Sequence, residues 1–222
     1  MIIAAGGSGT RMESDIPKQF LPLNGVPVII HTVLKFLEYD PKIQVVIALP
    51  QKHFQLWKEL CLSNNFTFDH TLSAGGETRF ETVKMALDAV DDDRVVAIHD
   101  AVRPLVTSQL IDKGFRDAMA FGNAIPVVRI TDSVRWTEGK KNQPVDREPL
   151  RIVQTPQVFD AGLIKKAYHR VGGTAFTDDA SVLEAMGEPI HLYDGIHENI
   201  KITFPHDLVY AKSILENNRI ES

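Results

Sequence analysis

Apolar residues follow two rhythms along this chain. The first is the near-continuous run expected of a strand covered on both faces: Met1 to Ala5, Ile43 to Leu49 closed by Pro50, Val95 to His99 ended by Asp100, and Ala124 to Val128. The second is helical spacing: Val28 to Tyr39 stopped by Pro41, Gln51 to Leu62, Thr78 to Val90, and Ser108 to Phe121 with Ser108 at the N-cap. Phe66 to Leu72 alternates and reads as a further strand. Strand and helix alternate through about residue 130 with short links between them. That order predicts the α/β class, a Rossmann-like open, mostly parallel twisted sheet with helices on both faces.

The rhythm breaks at Thr131 to Leu150, which is polar and turn-rich. A long structureless loop is rare inside a compact domain. Ser133 to Trp136 and Pro144 to Arg147 flank Glu138-Gly139-Lys140-Lys141-Asn142, the pattern of a projecting hairpin arm. A lone hairpin buries little of itself, so a partner subunit is its natural cover. Beyond the arm, Arg151 to Phe159 returns to the sheet. Asp160 to His169 and Asp178 to Met186 read as helices, the latter capped by Thr177. Ile190 to Tyr193 and Asn199 to Thr203 read as short strands. Pro205 opens a last helix to about Asn217. The whole reads as one domain, 1–222, with a β-arm at about 131–153.

Composition narrows the function. The 222 residues carry a formal net charge of −5, which argues against a sequence-independent nucleic-acid binder but leaves room for a local basic pocket. No apolar run approaches the roughly 20 residues of a membrane span. Met1 opens directly onto the first strand, without an export signal. The 1 cysteine, Cys61, cannot form an intramolecular disulfide and fits a reducing, cytoplasmic setting.

The stretch with most chemistry is Ala4-Ala5-Gly6-Gly7-Ser8-Gly9-Thr10-Arg11-Met12, followed by Pro17-Lys18-Gln19-Phe20. Glycines after a strand let a ligand approach the backbone, and successive N–H groups make a concave anion site. Arg11 and Lys18 add positive charge beside it. A dinucleotide fingerprint needs a third glycine where Met12 stands, and an acid after the second strand, which ends at Pro50. A P-loop needs Gly-Lys-Ser/Thr, which the chain lacks. The loop is read as a different device, a triphosphate cradle at the strand's C-terminal end.

These two motifs resemble those of the nucleotidyltransferases that join a sugar phosphate to a nucleoside triphosphate, and within them the 2-C-methyl-D-erythritol 4-phosphate cytidylyltransferases. The resemblance runs collinearly over essentially the whole chain. It implies that Arg11 and Lys18 hold the triphosphate and stabilise the transition state, with Ala4, Ala5, Gly6, Gly7 and Gly9 in the cradle. In Ala74-Gly75-Gly76-Glu77-Thr78-Arg79, with Thr82 beyond, it implies cytosine contacts from Gly76, Glu77 and Thr82. Relatives often have Asp and Ser at the last two positions, so the chemical groups are kept. Arg79 is placed lower, as a surface partner on its helix. Asp100, ending a strand in His99-Asp100-Ala101-Val102-Arg103, is the candidate Mg²⁺ ligand, with Ala101 and Arg103 beside it; His99 reads as packed. For the second substrate, a polyol phosphate, it implies hydroxyls from Ser133, Thr155 and Thr177 and charge from Arg147 and Lys201. In the family the arm's arginine reaches into the neighbouring subunit, so a homodimer is expected. The expected reaction joins CTP to the polyol phosphate, with Mg²⁺, Arg11, Lys18 and Lys201 offsetting the charge. A ribitol 5-phosphate cytidylyltransferase and a non-catalytic nucleotide sensor are the alternatives; an oxidoreductase is disfavoured by the loop.

Overall fold

The computed structural model describes residues 1–6, 16–172 and 176–220. The strands are β1 (Ile2–Ala4), β2 (Pro22–Leu23), β3 (Val26–Pro27), β4 (Val46–Leu49), β5 (Thr71–Ala74), β6 (Val95–Asp100), β7 (Asn123–Arg129), β8 (Val134–Glu138), β9 (Lys141–Val145), β10 (Arg151–Val153), β11 (Gln157–Asp160) and β12 (Leu192–Asp194). The helices are α1 (Val28–Tyr39), α2 (Phe54–Ser63), α3 (Arg79–Leu87), α4 (Ser108–Phe121), α5 (Ala161–Arg170), α6 (Asp179–Glu184) and α7 (Pro205–Ile220).

The main sheet runs β10-β7-β11-β6-β1-β4-β5, with β12 paired to β7. β1 is parallel to β4 and β6, β4 to β5, and β12 to β7. β11 runs antiparallel between β6 and β7, and β10 antiparallel to β7. Alternate strand residues face opposite sides. Ile3, Ile47 and Leu49 pack on one face with Val33, Trp57 and Ile111. Ile2, Val46 and Ala48 pack on the other with Val83, Ile164 and Leu183. Each large aliphatic side chain buried in this way contributes about 1.5–3 kcal/mol. This double burial is why the strands read as unbroken apolar runs. A third cluster, Leu23, Val28, Val102, Leu105, Ile202 and Ala211, lies under α7.

The arm is a separate two-stranded ladder of β8 and β9, with most of its residues exposed. Several boundaries differ from the sequence reading. β4 starts at Val46 because β1 offers its first partner there, Ile2. The strand expected over 66–72 begins only at Thr71, opposite Val46. Phe68 instead stacks on His70 and packs at a tilt on Phe66, and Phe66 and His70 meet Trp57 edge to face. The expected strand 151–159 splits in two around a cis Thr155–Pro156 bond, since Pro156 has no N–H for the ladder. Segment 199–203 is no strand: the Ile202 N–H donates to the Val102 carbonyl, and the Asn199 amide to the Thr155 carbonyl at 2.8 Å. Thr107, not Ser108, caps α4, accepting from the Leu110 N–H at 3.3 Å. Asp178, not Thr177, caps α6, accepting from the Ser181 N–H at 3.1 Å.

Candidate functional site

β1, β4, β5 and β6 all end at the same edge of the sheet, where open α/β sheets bind ligands. β11 runs the other way, so its start lies at that edge too. Asp100, the last residue of β6, therefore meets Thr155: its N–H donates to the Thr155 hydroxyl at 3.1 Å. Asp100, Arg103, Thr155, Thr177 and Lys201, expected from the sequence, line one cleft of about 210 Å³ together with Arg79.

Three cations surround the Asp100 carboxylate: Lys201 Nζ at 3.0 Å, Arg103 Nε at 3.2 Å and Arg79 Nε at 3.7 Å. Burial alone would raise its pKa, but Lys201, Arg79 and Arg103 outweigh burial and hold it well below the usual carboxylate range. Arg103 also donates to the Asn199 carbonyl at 2.8 Å, which fixes its plane. His99 is fully buried, and burial lowers its pKa to about 4. Its Nε2 lies 3.1 Å from the Arg103 carbonyl, which can only accept, so Nε2 carries the proton. Nδ1 then accepts from the Thr155 hydroxyl at 2.9 Å. Both nitrogens are committed, so the reading of His99 as packed holds.

The nucleotide-side residues gather beside this cleft. The Ala101 N–H donates to the Ala4 carbonyl at 3.1 Å, and Gln19 Nε2 to the Ala5 carbonyl at 2.8 Å. Thr82 is buried between two glycines: a Cβ on Gly6 would stand 2.7 Å from its hydroxyl oxygen, and one on Gly75 3.1 Å. The Thr82 hydroxyl donates to the Thr78 carbonyl at 2.8 Å, so toward a base it offers lone pairs. Glu77 is exposed at the loop's tip, and its N–H donates to Glu81 Oε2 at 2.8 Å. Lys18 is buried, and its ammonium donates to the Ile202 carbonyl at 2.9 Å, next to Lys201. Gly7, Gly9 and Arg11 lie outside the described residues. Ser133 and Arg147 do not line the cleft; they flank the arm strands, where Arg147 donates to the Thr131 carbonyl.

Arg79 is more central than its sequence reading as a surface partner. It makes two parallel bonds to Asp179, at 2.8 and 2.6 Å, while its Nε faces Asp100. Asp179 and Gln157 fall in two stretches that resemble the family, Thr177 to Ser181 and Gln154 to Gln157, but neither is given a role by the sequence, and Tyr168 is not singled out there.

Asp100 is the expected Mg²⁺ ligand, and both of its oxygens already face cations, Oδ2 toward Lys201 and Arg103 and Oδ1 toward Arg79. Among the described residues no three His, Cys, Asp or Glu side chains form a metal cage. Asp100 instead presents one ionised carboxylate to the cleft, the ligand Mg²⁺ takes when substrate phosphates and water complete its shell.

A family model described as IspD, 2-C-methyl-D-erythritol 4-phosphate cytidylyltransferase, matches residues 1–217. The chain is 45% identical over 214 residues to a protein of that name from Bacteroides fragilis, covering 96% of this chain and 98% of the relative. It is 45% identical over 215 residues to the one from Bacteroides thetaiotaomicron, covering 97% and 98%. The crystal structure of the Thermus thermophilus enzyme of the same name superposes with a TM-score of 0.78, at 30% identity, covering 97% of each chain. No helix among the described residues is long and apolar enough to cross a membrane. By sequence over nearly its full length, the chain belongs to the 2-C-methyl-D-erythritol 4-phosphate cytidylyltransferase family.

Proposed function

We propose that the protein joins CTP to 2-C-methyl-D-erythritol 4-phosphate, giving 4-diphosphocytidyl-2-C-methyl-D-erythritol and pyrophosphate for isoprenoid biosynthesis. The observation that carries this is the Asp100 carboxylate ringed by Lys201, Arg103 and Arg79 at the mouth of one cleft, in a chain of this family. A phosphate monoester oxygen attacks the α-phosphorus, and the bond to pyrophosphate breaks. With a second pKa of about 6 the monoester is largely dianionic at pH 7, so no general base is needed. That fits a site whose buried imidazole, His99, has both nitrogens engaged.

The chain's work is then to bring two anions together and stabilise the charge gathering at phosphorus. Arg11 and Lys18 are assigned to the triphosphate, and Lys201 and Arg103 to the second phosphate. Ala4, Ala5, Gly6, Gly7, Gly9 and Ala101 are assigned to the nucleotide's backbone contacts, and Gly76, Glu77 and Thr82 to cytosine. Thr155, Thr177 and Ser133 are assigned to the polyol. Asp100 would hold Mg²⁺ with the triphosphate oxygens; bound there, the ion supplies charge neutralisation. Residues 1–222 are taken as one catalytic domain whose arm, about 131–153, dimerises and carries Arg147 to the partner's cleft. The exposed arm strands support that reading. A reducing, cytoplasmic setting suits the thiol of Cys61, whose pKa burial pushes up to about 11.

The test is pyrophosphate release with CTP, UTP or ATP against methylerythritol phosphate and ribitol 5-phosphate. Turnover with CTP and methylerythritol phosphate is expected. Preference for ribitol phosphate, or no release with any pair, would overturn the proposal.

A further inference from the structure

Asp179 has no exposed surface, and both of its oxygens are used. Arg79 grips it with two bonds, and the Tyr168 hydroxyl donates to Oδ1 at 2.6 Å. Burial raises the Tyr168 pKa and Asp179 raises it further, so this hydroxyl stays a donor. Asp179 opens α6, whose start is also tied to β11: Gln157 Oε1 accepts the Asp179 and Ala180 N–H groups at 3.0 and 2.9 Å. The segment just before, Thr177-Asp178, forms one wall of the cleft. At the other end, Arg79 opens α3 directly after the Gly76-Glu77-Thr78 turn. A capping box, Thr78 with Glu81, makes that turn rigid. A Cβ on Gly76 would stand 2.3 Å from the Glu81 Cβ, so the turn and the cap are packed as one piece.

We infer that Arg79 and Asp179 are positioning residues that couple the nucleotide turn to the polyol wall of the cleft. The inference rests on the function proposed above. Arg79 is held at three points: its fork sets where α6 begins, its Nε sets one side of Asp100, and its backbone follows directly on the turn assigned to cytosine. A shift of residues 76–78 toward a bound base therefore carries Thr177 and the Asp100 carboxylate with it. Lysine would keep the charge but not the fork. Coupling of this kind is reciprocal, so nucleotide and polyol phosphate should tighten each other's binding by the same factor.

The test is calorimetry of methylerythritol phosphate binding to the whole protein, with Mg²⁺, with and without α,β-methylene-CTP, which cannot release pyrophosphate. In the unaltered protein the analogue is expected to tighten polyol phosphate binding at least about fivefold. Asp179→Asn and Arg79→Lys are expected to reduce that factor to nearly one while each ligand still binds alone. Tyr168→Phe is expected to reduce it partway. A purely structural strut would lower the melting temperature and leave the factor intact; that outcome, or no coupling in the unaltered protein, overturns the inference. Should Asp179→Asn not fold, full coupling in both Arg79→Lys and Tyr168→Phe is equally fatal. Failure of the analogue to bind the unaltered protein at all would overturn the proposed function as well, and is told apart by that missing first binding event.

Discussion

Lys18 and Ile202 lie 184 positions apart in the chain, yet the Lys18 ammonium donates to the Ile202 carbonyl at 2.9 Å. The contact pins the Pro17-Lys18 segment to the one that carries Lys201, whose own ammonium holds Asp100 at 3.0 Å. Lys18 thus reaches from the start of the chain to the residue beside Lys201. Lys18, assigned to the triphosphate, is expected to act most on the charge that develops at phosphorus. Lys18→Ala should therefore cost about 10²–10³ in kcat with the CTP KM little changed. Steady-state kinetics showing a KM effect alone would remove its transition-state role.

Gly6 and Thr82 test the nucleotide side. A Cβ on Gly6 would meet the Thr82 hydroxyl oxygen at 2.7 Å and its methyl carbon at 3.2 Å. Thr82 cannot yield easily, being buried and bonded to the Thr78 carbonyl. Gly6→Ala should raise the CTP KM and lower the melting temperature. Adding Thr82→Ala leaves the new methyl 3.4 Å from the Cβ at position 82, an ordinary contact. Stability should then recover in part. No recovery would mean that the clash lies elsewhere.

The parallel half of the sheet was legible because period and burial agree there: Ile2 and Ile3 face opposite cores, and both must be apolar. The place of Asp100 in the cleft was legible because a residue that ends such a run lands at the C-terminal edge of the sheet. Arg79 was misjudged because helical spacing shows only neighbours on its own helix. Its partner Asp179 is 100 positions away, and nothing local marks the pair. Segment 199–203 looked like a strand from its apolar alternation, but Lys18 and Val102 claim the Ile202 backbone first. Caps shifted by one residue, Thr107 for Ser108 and Asp178 for Thr177, because adjacent residues offer the same oxygen chemistry.

Arg147 belongs to the arm and lies outside its own cleft. If it serves the partner subunit, Arg147→Ala should raise the polyol phosphate KM and leave that of CTP unchanged. Mixing Arg147→Ala with Lys201→Ala subunits should then regain activity. In a two-fold dimer with freely exchanging subunits the recovery approaches about a quarter of normal. Two preparations that, assayed at low polyol phosphate, show no gain after unfolding and refolding together would place Arg147 in its own subunit's chemistry.

His99 gives the fold a predictable response to acid. Its native pKa lies near about 4 because burial penalises the cation; the Arg103 carbonyl and Asp100 pull it up, and the Arg103 and Lys201 charges push it down. Above the unfolded value of about 6.5, neither folded nor unfolded chain holds the proton. As pH falls from about 6.5 toward about 4, the unfolded chain takes up a proton that the folded one refuses, and stability falls by up to about 3 kcal/mol. Asp100, whose native pKa is depressed, loses its contribution only below about pH 4, so the two windows separate. Urea midpoints measured in metal-free buffer between pH 7 and pH 5 should therefore decline. His99→Gln, which cannot titrate, should be less stable at pH 7 but flatter across that interval. An equally steep decline in the variant would assign the acid response to other groups and leave the neutral His99 bridge between Arg103 and Thr155 without support.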